Sequence, residues 1–421
     1  MYVIKDETMR VPLKVFALPG TVEDGAIEQA KNACRMPMIF NHMALMPDGH
    51  QGYGVPIGAV VPLRGAVSPK IVGVDLGCNV RSVKTNIHID EFDPDKRKQV
   101  LGKCRELIPI GTGCKHDKKC DESVMPERKS GYLEDYAVVN MEYEKARYQM
   151  STLGSKNSNH FIEFQKDEDG FVWAMIHSGS RNLGHTVGSY YDKLAKSMNN
   201  LWYSNVDPKW DLSFLPTDSD EGHAYMLESE FCFQYAENNT YWMMNSMKYA
   251  FDQVFNGAEF SEEYQVAHNQ WSLEHHFGSN VVVHRKGAIR AREDDYGIIP
   301  GSQGSPSYII KGKNNSDSLN SASHGAGRAM SRKKAMATLD FDAEKAHMDN
   351  SDIVHGIRNK DDLSEAKGAY KDISIVMEGQ QELIEVLEHQ VEDLCMMSKI
   401  ELGNDVIEEL KRLRGILENE L

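Results

Sequence analysis

The sequence lacks the segments that direct a chain into or across a membrane. Residues 1–7 have no basic start followed by an apolar run, so we expect no signal peptide. No stretch approaches the roughly 20 consecutive apolar residues that a membrane-spanning helix needs. We therefore expect a cytoplasmic protein without a membrane contact.

Cysteine is scarce for a chain of this length. The 421 residues include seven cysteines, an odd number that does not suggest a disulfide framework. We therefore expect a reducing compartment, in which each cysteine is either buried filler or a metal or redox residue. The sequence also lacks internal repeats and long low-complexity linkers, and the length is enough to bury a substantial core.

A net positive charge, common in proteins that bind nucleic acids, is absent. Lys and Arg number 47 against 63 Asp and Glu, which gives a formal charge of −16. Net charge bears on solubility and non-specific association, and a local basic cleft can still bind phosphates. Any interaction with RNA must therefore depend on a localised cluster of Arg and Lys.

Helix-like and strand-like segments are mixed throughout, which predicts an α/β (mixed α+β) fold with central β-sheets flanked by helices. Apolar, β-branched runs predict strands at residues 57–63, 71–74, 161–164, 171–176, 281–283 and 308–310. Helical periodicity and capping signals predict helices at residues 24–36, 94–107, 141–153, 223–255, 373–398 and 404–417. We expect one large domain at residues 1–400 and a helical C-terminal extension at residues 401–421.

Side chains of the types that bind metal ions occur beside several predicted strands. They are Asp75, Cys78, His160, His177 and His268. Each alone is also typical of ordinary structure, since a single histidine at a strand end is more often structural than a ligand. Together they form a mixed set that suits zinc, manganese, iron or cobalt, and affinity order alone favours zinc over manganese.

Glycine-rich turns beside cations form a second pattern, which favours phosphate binding. The cations are Arg181, Lys286, Arg290, Arg328 and Arg332. His324 is followed by Gly325, which leaves room for a bulky adduct. If a helix begins near Ala326, Arg328 and Arg332 share one of its faces.

Metal ligands and guanidinium groups, without an evident Ser–His–Asp arrangement, indicate phosphoryl or nucleotidyl transfer. Residue chemistry alone does not choose between a ligase and a hydrolase. A metal-dependent phosphohydrolase or nuclease would use the same ligands but would not need His324 as a covalent nucleophile. A non-catalytic protein that binds RNA ends is a further alternative, which the intact ligand set disfavours.

Five separated segments, at residues 72–79, 159–163, 177–185, 267–290 and 298–332, resemble the RtcB family of RNA ligases. The resemblance runs over residues 36–398. It includes Met-Pro-Asp-Gly-His-Gln-Gly-Tyr-Gly at residues 46–54 and Ala-Tyr-Lys-Asp at residues 369–372. It implies an RtcB-like fold and a ligase that uses GTP and manganese. Such a ligase joins RNA 3′-phosphate or 2′,3′-cyclic phosphate ends to 5′-hydroxyl ends in tRNA splicing or RNA repair.

The resemblance also implies a role for each matching residue. Two Mn²⁺ ions would be bound by Asp75, Cys78, His160, His177 and His268, with Cys78 bridging the ions. His324 would attack the α-phosphate of GTP and carry GMP, with Asp75 and Cys78 acting beside it in catalysis. The guanylate would contact Asn159, Glu163, Ser302, Ser307, Tyr370 and Lys399. The RNA-end phosphates would contact Arg181, Arg290, Arg328 and Arg332.

The sequence departs from the family pattern at four places. Residues 154–160 are longer and bulkier than the usual glycine-rich run, Asn79 replaces a usual glycine, and Asn239 stands where arginine is frequent. Many members end in Lys-Gly, whereas this chain continues from Lys399 to Leu421. Since His324 and all the predicted metal ligands are present, we still expect activity on RNA ends. An activating protein partner, and a monomeric or dimeric state, stay open.

Overall fold

The computed structural model describes residues 1–154, 159–390 and 392–397 of the protein. Its helices are α1 (Asp24–Cys34), α2 (Pro69–Val72), α3 (Pro94–Leu107), α4 (Ala137–Gln149), α5 (Arg181–Leu201), α6 (Asp220–Phe255), α7 (Arg332–Thr338), α8 (Phe341–Asn350) and α9 (Ile373–Glu378). Short 3₁₀ helices lie at Ile89–Glu91, Glu122–Val124, Leu133–Asp135, Pro208–Trp210, Ser316–Ser318, Lys360–Glu365 and Lys367–Ala369. None of the described helices has both the length and the apolar character that crossing a membrane requires.

The strands form two large sheets and three small ones. They are β1 (Tyr2–Ile4), β2 (Leu13–Val15), β3 (Met43–His50), β4 (Ile57–Leu63), β5 (Ala66–Val67), β6 (Asn79–His88), β7 (Phe161–Lys166), β8 (Phe171–Ser178), β9 (Leu215–Pro216), β10 (Phe260–Ala267), β11 (Asn269–His276), β12 (Ser279–Lys286), β13 (Ala288–Arg290), β14 (Tyr296–Ile299), β15 (Ser307–Gly312), β16 (Ser321–Ser323), β17 (Ile384–Gln390) and β18 (Glu392–Met397).

The larger sheet has the strand order β1-β2-β3-β4-β12-β11, and the second has the order β10-β6-β8-β7-β18. The small sheets are β14-β15-β17, β13-β16 and β5-β9. The β2–β3 pair is parallel. The long neighbouring pairs, such as β6–β8, β7–β8 and β11–β12, are antiparallel.

Strand alternation places the second sheet between two apolar clusters. Trp173 of β8 is buried in a cluster that also contains Val283 of the larger sheet. Its neighbours Val172 and Ala174 point to the opposite face and pack in a cluster with Phe251 of α6. The second sheet is therefore covered on both faces, and its strand ends, rather than its faces, are left to present functional side chains.

The mixed α+β architecture that the sequence predicts is confirmed. Two elements match to the residue, the strand Ile57–Leu63 and the helix Pro94–Leu107. The strands predicted at residues 161–164 and 171–176 pair as the hairpin β7–β8. The helix predicted at residues 141–153 forms four residues earlier, at Ala137–Gln149.

Two predicted elements are wrong. Residues 71–74 are not a strand, because Pro69 starts α2 and the Ser68 hydroxyl caps it by accepting a hydrogen bond from the Ile71 N–H. In the described part of the helix predicted at residues 373–398, only Ile373–Glu378 is helical, and β17 and β18 follow it. The extension at residues 401–421, with its helix predicted at residues 404–417, lies outside the described residues.

Candidate active site

The ends of four strands in the second sheet bring the candidate metal ligands together. His177 lies in β8 near its end, and His160 directly precedes the neighbouring strand β7. Asp75 and Cys78 lie in the turn between α2 and β6, and His268 lies between β10 and β11. The backbone N–H of His268 donates to the carbonyl of Cys78 at 3.0 Å, which joins the two turns directly.

The donor atoms converge in two groups that share Cys78. In the first group, Sγ of Cys78 lies 3.1 Å from Nε2 of His177, which lies 3.2 Å from Nε2 of His268. In the second, Nε2 of His160 lies 3.5 Å from the same Sγ and 3.1 Å from Oδ2 of Asp75. Within each group the ligand atoms lie within 4.8 Å of one another. The Cys78 thiol is thus common to both candidate ligand groups.

These side chains fit metal ions in spacing and in protonation. Donors bound to one ion at about 2.0–2.3 Å lie roughly 3.0–3.7 Å apart, depending on coordination geometry. The four donor separations, from 3.1 to 3.5 Å, fall in this range. Burial lowers the pKa of His177 to about 3 and that of His268 well below its usual value. Both rings are therefore neutral, which is the form that binds metals.

The remaining donors also favour a cation at this position. Burial, reinforced by the Asp75 carboxylate, raises the pKa of the Cys78 thiol, so a thiolate there requires a positive charge beside it. Nδ1 of His160 lies 3.0 Å from the Leu153 carbonyl, and this contact orients the ring with Nε2 towards the cluster. The described residues are therefore consistent with a metal centre.

His324 adds an imidazole to this cluster from a different sheet. It follows β16, and its ring centroid lies 4.9 Å from that of His268. Nδ1 of His324 lies 2.6 Å from Oδ2 of Asp48, which also accepts a hydrogen bond from the His324 backbone N–H at 3.2 Å. In the neutral tautomer whose Nδ1–H donates to this buried carboxylate, the lone pair of the ring is on Nε2.

Asp48 is absent from the predicted site residues, although it lies in the segment at residues 46–54 that supports the family resemblance. It belongs to β3 and is fully buried. A carboxylate followed by Gly49 inside a buried strand is the signal that identifies it, because a buried carboxylate requires a partner.

Three predicted guanylate contacts lie on neighbouring segments. Nε2 of Gln165 donates to Oε1 of Glu163 at 2.6 Å and to Oγ of Ser307 at 2.9 Å, which joins β7 to β15. Ser302 lies in the loop before β15, with its hydroxyl 2.8 Å from that of Ser305. These side chains form one polar surface. Gln165 belongs to it, although the sequence analysis did not predict it.

The other predicted guanylate contacts are less closely grouped. Asn159 directly precedes His160, and its backbone hydrogen-bonds to His177. Tyr370 is partly buried, and its hydroxyl donates to Oε2 of Glu365. Lys399 lies outside the described residues.

Three of the four predicted phosphate-binding arginines are paired with carboxylates. Arg290 makes two hydrogen bonds of 2.8 Å with Asp295. Arg328 and Arg332 both bind Glu365, at 3.0 and 2.6 Å. Carboxylates hold these guanidinium groups in fixed positions, and an incoming phosphate must share or replace them.

The two C-terminal arginines meet at Glu365 and do not share a helix face, because the condition for that arrangement, a helix that begins near Ala326, is not met. The Ser331 hydroxyl caps α7 by accepting from the Lys334 N–H, and the helix therefore begins only at Arg332. Glu365 is a further residue that sequence reasoning missed, because its partners lie 33 and 37 residues away.

Arg181 stands apart from these pairs. It starts α5, where the helix dipole favours anions, and its backbone has a left-handed φ of 58°. Its Nε donates to the Thr152 hydroxyl at 3.1 Å, and its Nη1 lies 3.4 Å from Nδ1 of His160. Lys286, the remaining predicted cation, is buried and donates to the Tyr53 carbonyl at 2.6 Å.

Comparisons with known proteins agree over almost the whole chain. A family model described as "tRNA-splicing ligase RtcB" matches residues 29–398. The chain is 34% identical over 400 residues to the RNA-splicing ligase RtcB of Escherichia coli (strain K12), covering 90% of this chain and 96% of that protein. It is 32% identical over 444 residues to the tRNA-splicing ligase RtcB of Thermococcus kodakarensis, covering 89% and 91%.

The chain belongs to the RtcB family. Two of its departures from the RtcB pattern have defined contacts. Oδ1 of Asn239 accepts from the Thr152 N–H at 3.0 Å, and its Nδ2 lies within 3.2 Å of the Thr152 carbonyl, the Ser178 hydroxyl and the Gly179 carbonyl. Asn79 donates to the Gly77 carbonyl at 3.0 Å. Both amides therefore fix the turns beside the candidate metal ligands. Residues 155–158 of the altered loop lie outside the described residues.

Proposed function

We propose that this RtcB-family protein is a cytoplasmic RNA ligase that consumes GTP and joins an RNA 3′-phosphate or 2′,3′-cyclic phosphate end to a 5′-hydroxyl end. The names of its relatives support a role in RNA splicing, and RNA repair uses the same chemistry. The observation that carries the proposal is the position of His324, between the Asp48 carboxylate and His268 of the candidate metal cluster.

His324 is the nucleophile of the proposed first step. Its Nε2 attacks the α-phosphorus of GTP, an N–P bond forms, and the bond from that phosphorus to the bridging oxygen breaks, which releases pyrophosphate. Asp48 holds the Nδ1–H and stabilises the positive charge that the imidazole acquires. The product is GMP carried on His324 as a phosphoramidate.

The next two steps use this activated GMP. An oxygen of the RNA 3′-phosphate attacks the GMP phosphorus, the N–P bond breaks, and His324 is regenerated. The 5′-hydroxyl oxygen of the second end then attacks the RNA phosphorus, loses its proton and expels GMP. A cyclic phosphate end is first opened by water to a 3′-phosphate. Arg181, Arg290, Arg328 and Arg332 are the proposed contacts to the RNA-end phosphates.

Two Mn²⁺ ions are the proposed metals, with Asp75, Cys78, His160, His177 and His268 as their ligands. Bound there, they would offset the negative charge of the phosphates as it redistributes during transfer. Asn159, Glu163, Ser302, Ser307, Tyr370 and Lys399 are the proposed contacts to the guanylate.

Guanylylation by α-labelled GTP tests this proposal directly. Wild type, His324→Ala and His275→Ala are each incubated with labelled GTP and either Mn²⁺ or Zn²⁺, and then separated on a denaturing gel. His275 is the control because it is exposed in β11. We expect acid-labile label on the wild type and on His275→Ala, and none on His324→Ala.

A metal-dependent hydrolase is the alternative that this experiment separates. Its chemistry requires the metal ligands but no covalent nucleotide. If the metal-loaded wild type takes no label and His324→Ala still removes phosphate from RNA ends, the ligase mechanism is wrong.

A further inference from the structure

A cavity of about 260 Å³ adjoins the candidate metal cluster. Two of its lining residues, Gly77 and Ala267, directly precede Cys78 and His268. Arg290 lines another side of it. The cavity is thus one residue along the chain from two candidate metal ligands, although none of the candidate ligands lines it, and it includes a proposed RNA-end cation.

Tyr296, which also lines this cavity, is the outer member of a stack of three aromatic rings. Its ring centroid lies 5.3 Å from that of Tyr264, with 26° between the planes. Tyr264 lies 6.3 Å from Trp173 at 11°, and Trp173 is fully buried. The stack therefore runs from the core to the surface, where Tyr296 is 46% exposed. Because Tyr264 covers one face of the Tyr296 ring, the exposed area lies on its other side.

An exposed ring on a rigid support, beside a phosphate-binding cation, has the properties of a platform for a nucleobase. Proteins recognise single-stranded RNA ends by stacking unpaired bases on aromatic rings, and such stacking tolerates any base. Asp295 strengthens this arrangement, because it precedes Tyr296 and fixes Arg290 through two hydrogen bonds of 2.8 Å. One chain segment thus positions the cation and the ring together.

The rest of the lining is mainly polar and includes Glu230 and Glu237, which suits the edge of an uncharged base rather than an apolar ligand or a phosphate. Gln265 and Gln270 contribute side-chain amides, each of which can both donate to and accept from a base edge. Phe233 adds a second ring. The volume lies below the roughly 300–1,000 Å³ typical of pockets for whole small molecules, so one base is a suitable occupant.

We propose that Tyr296 stacks against the nucleobase of a terminal nucleotide of the RNA being joined, within this cavity. The inference rests on the proposed ligase function. The base belongs either to the 3′-phosphate end or to the 5′-hydroxyl end, since stacking on an aromatic ring is the same interaction in both cases.

Steady-state ligation with abasic RNA tests this inference. Wild type, Tyr296→Ala and Tyr296→Phe are compared on intact RNA, on RNA abasic at the 3′-terminal nucleotide, and on RNA abasic at the 5′-terminal nucleotide. Tyr249→Ala is the matched control, because Tyr249 is 54% exposed but lies about 18 Å along α6 from the residues that line the cavity.

We expect Tyr296→Ala to raise the KM for intact RNA about tenfold with little change in kcat, which is the size of one stacking contact. For the wild type, removing the base at one end should raise KM by a similar factor, and that end is the one bound at Tyr296. The same abasic RNA should raise KM little further in Tyr296→Ala, since the two changes remove one contact. Tyr296→Phe, which keeps the ring, and Tyr249→Ala should behave as wild type.

Guanylylation with α-labelled GTP separates the failure of this inference from the failure of the ligase proposal. That step involves no RNA, so all these variants should take label equally, which also shows that they are folded. If the wild type takes label and ligates but Tyr296→Ala keeps the wild-type KM, the stacking inference alone is wrong. If Tyr296→Ala and the abasic end raise KM by independent factors that multiply in the combined measurement, the stacking inference is also wrong. If the wild type neither takes label nor ligates, both proposals fail.

Discussion

At the scale of single residues, the contact between Asp48 and His324 decides which imidazole nitrogen would be free to react in the proposed mechanism. The carboxylate accepts from both the ring Nδ1–H and the backbone N–H of His324, so the ring is fixed in rotation and in tautomer. A histidine without such a partner would divide its time between two tautomers and several orientations. Asp48 is therefore a positioning residue in the proposed transfer of GMP.

Asp48→Asn should slow guanylylation of His324 by roughly 100-fold or more, because the neutral amide no longer stabilises the imidazolium or selects the tautomer. Single-turnover labelling with GTP, measured from pH 6 to pH 9, gives the rate and its pH profile. We expect a changed pH profile, with the Kd for GTP and the metal content close to those of the wild type.

Asp167→Asn is the control for loss of a buried carboxylate. Asp167 is buried, pairs with Lys84 at 2.8 Å and accepts from Trp173 Nε1 at 3.0 Å, in the β7–β8 hairpin. It should lower stability without altering the rate of labelling. Equal labelling rates for Asp48→Asn and the wild type would show that the contact is only structural.

Residue types in the candidate site were predictable from the sequence, whereas their partners were not. His324 and the metal-ligand set stand out because they accompany glycine-rich turns and strand ends. Asp48 lies 276 residues from His324, and Glu365 lies 37 from Arg328, so no local pattern links them. Glu365 was not predicted as the partner of Arg328 and Arg332 for the same reason, whereas Asp295 was not predicted although it lies only five residues from Arg290.

At the scale of secondary-structure elements, α4 depends on a cap supplied by another helix. Tyr136 at its N-terminus makes no capping hydrogen bond. Instead the Glu228 carboxylate of α6 accepts from the N–H groups of Val138 and Val139, at 2.8 and 3.3 Å. Burial raises the pKa of Glu228 to about 7, although both hydrogen bonds oppose the shift.

Glu228→Gln should flatten the pH dependence of thermal stability. The folded pKa of about 7 exceeds the ordinary value of 4.5, so the folded protein retains this proton more strongly than the unfolded chain. The stability that Glu228 contributes is therefore present below about pH 4.5 and is lost as the pH rises through about 7. Scanning calorimetry from pH 5 to pH 8 should show a larger fall in Tm for the wild type than for Glu228→Gln.

Glu7→Gln tests whether the effect is specific to the buried carboxyl group. Glu7 is exposed near the N-terminus, and its variant should follow the wild-type profile. A fall in Tm for Glu228→Gln that parallels the wild type would contradict the assignment.

Elements with a strong local signal were predictable, and those decided by pairing were not. Pro94–Leu107 carries its own cap, since Asp93 accepts from the N–H groups of Asp95 and Lys96, and its bounds were correct. By contrast, residues 384–390 have a pattern compatible with a helix and become β17 because β15 offers a partner. Hydrogen bonds to a distant strand outweigh local propensity there.

At the scale of the whole molecule, the candidate metal ligands connect four segments that are far apart in the chain. An ion that binds only the folded protein stabilises it by roughly 2.7 kcal/mol when the free ion concentration is 100 times its Kd. Excess chelator should therefore lower the Tm of the wild type by several degrees. Cys78→Ala should show little of this response, because both ligand groups include Cys78.

Cys104→Ala is the matched control for the chelator experiment. Cys104 is also a buried cysteine, and it lies in α3 outside both ligand groups. Its variant should keep the full response to the chelator. An undiminished response in Cys78→Ala would show that Cys78 is not the shared ligand.

The formal charge of −16 describes the whole surface and not the site. Composition was enough to predict that any contact with RNA must be local. It did not predict that Asp295 and Glu365 would stand beside the proposed phosphate contacts. The contacts of Glu365 depend on which loops the fold brings together, whereas Asp295 and Arg290 lie five residues apart in one segment.

The separation of 276 positions between Asp48 and His324 also has a consequence for protein synthesis. A chain still on the ribosome has made every candidate metal ligand by residue 268, yet it lacks the proposed nucleophile until residue 324 has been added and β16 has paired with β13. Under the proposed mechanism, a chain that terminates before residue 324 cannot take up GMP, even though its sequence contains all the candidate metal ligands.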